Sequence, residues 1–88
     1  MSVNIAIQYL VNVKENKILA IKATRQVTGM GLREAKEMND TMLSGNNDHP
    51  HVTFHLSDEQ FAVFMCSYFN DAVLRERIKL LGTVRVIV

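Results

Sequence analysis

The stretch that decides the fold is residues 16–37, which read NKILAIKATRQVTGMGLREAKE. Neither glycine nor proline interrupts residues 17–28, so this run predicts a first helix. Gly29 favours the left-handed conformation that ends many helices. Gly31 is small enough to let a second helix begin close to the first. The stretch therefore predicts two helices joined by a tight glycine turn.

The first helix carries more apolar residues than one buried stripe needs. Its core side is predicted to hold Leu19, Ala20, Ala23 and Val27. Ile18 and Ile21 fall on a different side, because residues three and four positions apart share a helix face. The same side carries Lys17, Lys22 and Arg25. We predict that it is an exposed face with apolar centres ringed by cations.

The second helix is predicted over residues 32–41. Its spacing places Leu32, Ala35 and either Met38 or Met42 toward the core, and Arg33, Glu34, Lys36 and Glu37 toward water. A polar loop follows at residues 44–50, where glycine, proline and asparagine cluster.

Three other segments predict strands, because β-branched and aromatic residues alternate with polar ones. The first runs from Val3 to Val13 and the second covers residues 51–56. The third covers residues 83–88, with Val84, Val86 and Val88 on one face. Asn16 stands where the first helix needs an N-cap.

Residues 57–82 predict helical structure. Ser57 and Gln60 match a capping box, in which the two side chains satisfy each other's backbone amides. The helix that follows has Phe61, Phe64, Met65 and Tyr68 on one side. Asn70-Asp71 is a candidate break, after which Ala72, Leu74, Ile78 and Leu81 continue the pattern until Gly82. The sequence leaves open whether this region is one helix or two.

The element order is therefore β-α-α-β-α-β, which predicts an α+β fold: a two-layer domain with helices on one face of a three-stranded antiparallel sheet. Eighty-eight residues suffice for one domain, which we assign to residues 1–88. There is no signal peptide pattern and no apolar run of about 18 residues. A single cysteine excludes an internal disulfide, which fits a cytoplasmic location.

Charge is distributed in three blocks. Residues 14–36 hold six Lys or Arg residues and two acids, Glu15 and Glu34. Residues 37–71 hold acids and no Lys or Arg. The remaining residues hold one acid, Glu76, and four cations, which are Arg75, Arg77, Lys79 and Arg85. Local fields of this kind steer association with a charged partner. An alternative function is nucleic-acid binding through residues 14–36 and 75–85, although the net charge of +1 and the lack of a known motif argue against it.

Residues 16–37 closely resemble the C-terminal domain of the bacterial large-subunit ribosomal stalk protein. The resemblance rests on Asn16-Lys17, on Ile21-Lys22 with Arg25, on Thr28-Gly29-Met30-Gly31-Leu32 and on Arg33-Glu34-Ala35-Lys36. It covers about a quarter of the chain strongly, while the remaining strands and helices agree only in pattern. The family has an α+β sandwich with a three-stranded antiparallel sheet.

The resemblance also implies a function, because the family's domain recruits translational GTPases such as elongation factors Tu and G through its first two helices. On matching positions, the partner-binding residues would be Lys17, Ile18, Ile21, Lys22, Arg25, Leu32 and Lys36. The family's N-terminal dimerisation segment and its hinge have no counterpart in the sequence, so a stand-alone relative is expected. A viral or accessory mimic of the stalk domain that modulates a host protein is an alternative.

Catalysis, cofactors and metals are not expected. Gly29-x-Gly31 lacks the third glycine and the preceding strand of a dinucleotide site. His49, His51 and His55 lack the cysteines or carboxylates that would complete a metal site. Cys66, among aromatic neighbours, is predicted to be a small core residue. The protein is thus predicted not to be an enzyme.

The aromatic residues of the third helix suggest a second surface. So short a chain need not bury every aromatic side chain of this helix, which carries Phe61, Phe64, Tyr68 and Phe69. Any of them that stay exposed would form a homodimer seam. A protease-adaptor relative of the same fold is a weaker alternative, because the acidic pocket of such adaptors is not evident.

Overall fold

A computed structural model describes residues 1–45 and 47–87. Its central strand, β1 (Ser2–Tyr9), has the alternation that the sequence predicts. Val3, Ile5, Ile7 and Tyr9 are buried, whereas the residues between them face the other side of the sheet. The apolar side of β1 is the floor of the hydrophobic core.

Two strands flank β1, and both pair with it antiparallel. They are β2 (His51–Ser57) and β3 (Ile78–Val86), which gives the strand order β2-β1-β3. Ala6 pairs with Gly82 and Ile7 pairs with Leu80, so Leu81 is an extra residue in a β-bulge.

The helices of the described residues pack on the apolar side of the sheet. They are α1 (Lys17–Thr28), α2 (Leu32–Leu43), α3 (Asp58–Asn70) and α4 (Ala72–Arg77). Their core contributions include Ala20, Ala23, Val27, Phe64 and Leu74, all at most 1% exposed. The α+β prediction with a three-stranded antiparallel sheet is confirmed. No helix among these residues is both long and apolar enough to cross a membrane.

The first strand ends earlier than its apolar alternation predicted. Beyond Tyr9, the Leu10 and Val11 amides both donate to the Arg77 carbonyl, at 2.8 and 3.3 Å, which interrupts the regular ladder. The Asn12 side chain then accepts from two following amides and forms a turn. Val13 is still buried, because the turn carries it into the core.

The region after the capping box consists of two helices and a long strand. The capping box at Ser57 and Gln60 is confirmed, and Asp71 separates α3 from α4. The predicted helical continuation to Leu81 is wrong, since α4 ends at Arg77 and Gly82 lies within β3. Pairing with β1 decides this, because Ile78 lies opposite Tyr9. The predicted third strand therefore begins earlier, and its last residue, 88, lies outside the described residues.

A buried hydrogen-bond chain links β1 to α1. The Thr24 hydroxyl donates to the Ala20 carbonyl at 3.0 Å, which leaves its oxygen free to accept from the Tyr9 hydroxyl. Burial raises the pKa of Tyr9 to about 12, and the hydrogen bond to Thr24 offsets only part of that rise. The polar end of Tyr9 is thus satisfied inside an apolar core.

Cys66 is exposed, so its predicted place in the core is wrong. Phe64 takes the core position on α3, and a residue two positions further along a helix lies on nearly the opposite side. Asn70 Nδ2 donates to the Cys66 carbonyl at 2.8 Å and lies 3.5 Å from Cys66 Sγ. Tyr68 is half-buried, whereas Phe69 is 68% exposed.

Candidate protein-docking site

The outer side of α1 carries the apolar and basic side chains that the sequence singled out. Ile18 is 70% exposed, and Lys17, Lys22 and Arg25 are exposed beside it in sequence. Ile21 is half-buried and thus contributes only part of its surface. Asn16 occupies the N-cap position as predicted, but its side chain makes no capping hydrogen bond.

Gly29 ends α1 in the left-handed conformation that the sequence predicted. Its φ is +72°, and its amide donates to the Arg25 carbonyl at 2.8 Å. Gly31 has an ordinary φ of −69° and is the N-cap of α2. A Cβ at either glycine would meet nothing within 4 Å, so the expectation that Gly31 allows close helix packing is wrong.

The start of α2 adds an apolar side chain to the surface. Leu32 is 47% exposed, so its predicted inward orientation is wrong, whereas Ala35 is fully buried as predicted. Leu32 is the first residue of α2 and precedes the turn that contacts the core. Lys36 is exposed one turn further on. An exposed Leu32 is nonetheless what a partner-binding residue requires.

A cleft separates the outer side of α1 from α4. Its volume is about 450 Å³, and it is lined by Lys22, Arg25, Gln26, Gly29, Met30 and Arg77. The cleft joins the two basic segments of the sequence, because Lys22 and Arg25 come from the first and Arg77 from the second. We refer to it below as the basic cleft.

The sequence did not place Gln26, Met30 or Arg77 at a site, although the second basic block was a signal for Arg77. Conversely, the structure does not bring five of the predicted partner-binding residues into the basic cleft, namely Lys17, Ile18, Ile21, Leu32 and Lys36. Lys17 and Ile18 line a separate hollow at the start of α1. Lys22 and Arg25 are thus the two predicted partner-binding residues that line the basic cleft.

A second depression adjoins the basic cleft and shares Arg25, Gln26 and Gly29 with it. Its volume is about 380 Å³, and α3 contributes Glu59, Gln60 and Val63 to its lining. Val63 is 61% exposed. Gln60 Nε2 donates to the Thr28 carbonyl at 3.3 Å and thereby joins α3 to the end of α1.

The cations of the basic cleft differ from several others in having no acidic partner. Elsewhere, Lys14 pairs with Asp48, Arg33 with Glu37 and Arg85 with Asp58, at distances of 3.0 to 3.5 Å. Within residues 1–45 and 47–87, no ion pair involves Lys22, Arg25 or Arg77. The cleft therefore carries three positive charges without an ion-pair partner among these residues, although Arg77 is near enough to Asp71 to help lower the pKa of that carboxyl.

Neither His51 nor His55 lines the basic cleft. His51 and His55 are exposed on β2, and His55 Nδ1 lies 2.6 Å from Asn4 Oδ1 across the sheet. Among the residues with described positions, no three His, Cys, Asp or Glu side chains are grouped so that they could hold a metal ion.

Comparison with known families bears directly on this surface. The family model of the ribosomal protein L7/L12 C-terminal domain matches residues 8–44. The match supports a ribosomal stalk-like domain, of the kind that binds translation factors. No curated protein and no solved structure matches the chain.

The residues that match the L7/L12 family extend from the end of β1 through α1 and α2. They include all seven predicted partner-binding residues. Arg77 and Val63, by contrast, lie outside the matched residues. The surface around α1 therefore combines a stalk-like part with a part contributed by α3 and α4.

Proposed function

We propose that this protein is a non-catalytic interaction module that docks a translation factor through α1 and α2. The observation that carries the proposal is the exposure of Ile18 and Leu32 within the residues that match the L7/L12 family. Exposed apolar side chains surrounded by cations suit a protein interface, where the apolar groups anchor and the charges set orientation and association rate.

The partner surface is assigned to the seven residues named from the sequence. Ile18, Ile21 and Leu32 would supply apolar contacts, and Lys17, Lys22, Arg25 and Lys36 would contact an acidic rim on the partner. Of these side chains, Ile21 is only half-exposed, so Ile18 and Leu32 are the stronger anchors. The proposed partner is a translational GTPase, and the proposed location is the cytoplasm.

The test measures binding of purified bacterial elongation factors Tu and G to the chain by calorimetry. The variant Ile18→Ala/Lys22→Gln should weaken binding at least about tenfold, because it removes an apolar anchor and a charge together. The matched control is Val84→Ala/Lys79→Gln on β3, since Val84 is 65% exposed and Lys79 is exposed as well. Absence of binding to either factor, or equal losses in both variants, would contradict the proposal.

Nucleic-acid binding is a second candidate function, because the basic cleft joins the basic segments 14–36 and 75–85. Phosphate contacts by three cations predict an affinity that falls steeply with salt. Fluorescence anisotropy with a labelled single-stranded RNA at rising salt tests this candidate. A flat salt dependence would exclude it.

Two further alternatives differ in the partner. A viral or accessory mimic of the stalk domain would use the same residues against a host translation factor. A homodimer would instead use α3, where Phe69 is exposed. Sedimentation of wild type and Phe69→Ser distinguishes the homodimer, because only that assembly depends on Phe69.

A further inference from the structure

Arg77 is presented to the basic cleft by a fixed backbone. It is the last residue of α4, and its carbonyl accepts hydrogen bonds from the Leu10 and Val11 amides. Its side chain is half-buried and lines the cleft opposite Lys22 and Arg25 of α1. The backbone from which its side chain extends is therefore held by the residues after β1 as well as by α4.

The opposite wall of the cleft is held to α4 by a hydrogen bond. Gln26 lines the cleft and donates to Asp71 Oδ2 at 3.2 Å. Asp71 Oδ1 is already engaged with the Val73 and Leu74 amides at the start of α4. The Asp71 carboxylate is thus occupied by these donors, and among the described residues it forms no ion pair with Lys22, Arg25 or Arg77.

We infer that the basic cleft binds an acidic segment of the protein partner, and that Arg77 is a binding residue of that site. This inference rests on the proposed function, because it adds a specificity contact to the same docking surface. Three cations around a concave surface suit two or more carboxylates from neighbouring acidic residues. Arg77 would form a forked, charge-assisted hydrogen bond with one of them.

The lining of the cleft favours an acidic peptide over a nucleic acid. Single strands are usually held by aromatic side chains on which bases stack, and the cleft has no aromatic residue among its described lining. Met30 instead offers a flexible apolar contact beside the charges, as promiscuous peptide-binding surfaces do.

The experiment titrates the isotope-labelled full chain with hexaglutamate and follows its amide signals by NMR at low ionic strength. Signals of Lys22, Arg25, Gly29 and Arg77 should shift together. Arg77→Gln should weaken hexaglutamate binding about three- to tenfold, as expected for loss of one charge-assisted contact. Arg77→Lys should retain part of the affinity, because it keeps the charge but loses the forked geometry.

Lys79→Gln is the matched control, because it removes the same charge from the strand that follows. Lys79 pairs with Gln8, whose side of the sheet is opposite to the buried Ile7 and Tyr9. Equal weakening by Arg77→Gln and Lys79→Gln would overturn the inference in favour of net charge alone. Tighter binding of a single-stranded RNA than of hexaglutamate in the cleft would overturn it too.

The same variants measured against elongation factors Tu and G separate this inference from the proposed function. If a factor binds wild type and Arg77→Gln equally well, the proposed function stands and the assignment of Arg77 fails. If neither factor binds but hexaglutamate occupies the cleft and depends on Arg77, the acidic-segment site stands and the translation-factor assignment fails.

Discussion

Gln26 on α1 donates a hydrogen bond from Nε2 to Asp71 Oδ2, at 3.2 Å, across 45 positions of sequence. The other oxygen of the same carboxylate accepts from the Val73 and Leu74 amides and caps α4. Partial desolvation raises the pKa of Asp71, but these hydrogen bonds and the charge of Arg77 outweigh it and hold the pKa below the ordinary 3.8. Asp71 thus joins two helices through one ionised group.

Replacing Asp71 by alanine should lower the thermal midpoint by several degrees, because α4 loses its cap and α1 its tie. Asp71→Asn should lower the thermal midpoint less, since asparagine also caps helices. The folded pKa is lowered, so the contribution of the charge is present above pH 3.8 and is lost as pH falls through the folded value. The difference in free energy of unfolding between wild type and Asp71→Asn should therefore become smaller in acid. Urea unfolding of both proteins at several pH values measures this difference.

Tyr9 predicts the opposite pH dependence. Tyr9→Phe should cost about 1 kcal/mol near neutral pH, because Thr24 loses its buried hydrogen-bond donor. Since burial raises the pKa of Tyr9 from 10.0 to about 12, the folded state retains a proton that the unfolded state releases. The stability of wild type should then fall by up to about 1.4 kcal/mol per pH unit between these values.

Tyr9→Phe lacks this loss, because phenylalanine has no proton to release. Urea unfolding of the pair between pH 8 and 11, values chosen to bracket the ordinary tyrosine pKa of about 10, measures the difference. If the difference in unfolding free energy between wild type and Tyr9→Phe stays constant above pH 10, the assignment of a buried tyrosine with a raised pKa is contradicted.

Asn39 on α2 is 1% exposed, and its Oδ1 has no hydrogen-bond partner within residues 1–45 and 47–87. Asn39→Leu, which has the same branched shape, should stabilise the fold by about 1 kcal/mol because it removes an unpaired buried oxygen. Asn39→Asp serves as the comparison and should destabilise, since it buries a charge. If leucine destabilises as strongly as aspartate, the oxygen has a partner after all.

The glycine turn offers a paired test of backbone strain. Gly29→Ala should destabilise by about 1 kcal/mol, because alanine disfavours the φ of +72° although space is open. Gly31→Ser should be neutral or stabilise by roughly a few tenths of a kcal/mol, since serine is a good N-cap at an ordinary φ. Thermal unfolding of both variants checks this, and similar losses at the two positions would refute it.

The local signals of the sequence predicted the first two-thirds of the fold well. The alternation in β1, the unbroken run of α1, the left-handed Gly29 and the capping box at Ser57 are all set by neighbours in sequence. The end of α4 could not be predicted in this way. Ile78 and Leu80 suit a helix stripe or a strand equally, and pairing with β1 decides between them.

The candidate site likewise divides into features that are set by neighbours in sequence and features that are set by tertiary packing. Spacing along α1 predicted that Ile18, Lys22 and Arg25 are exposed. Spacing along α2 failed at Leu32, because the first residue of a helix can lie beyond the core that its later turns contact. Arg77 could not be assigned to the same cleft, since that depends on where α4 ends and how it packs against α1.

The strand order has a consequence for how the protein is made. β1 is synthesised before both of the strands that pair with its edges, at residues 51–57 and 78–86. Until residue 86 emerges, one edge of an apolar strand stays open to any nascent chain nearby. The sheet therefore closes only after residues 78–86 have been synthesised, so its central strand is exposed to mispairing for most of the time that separates β1 from β3.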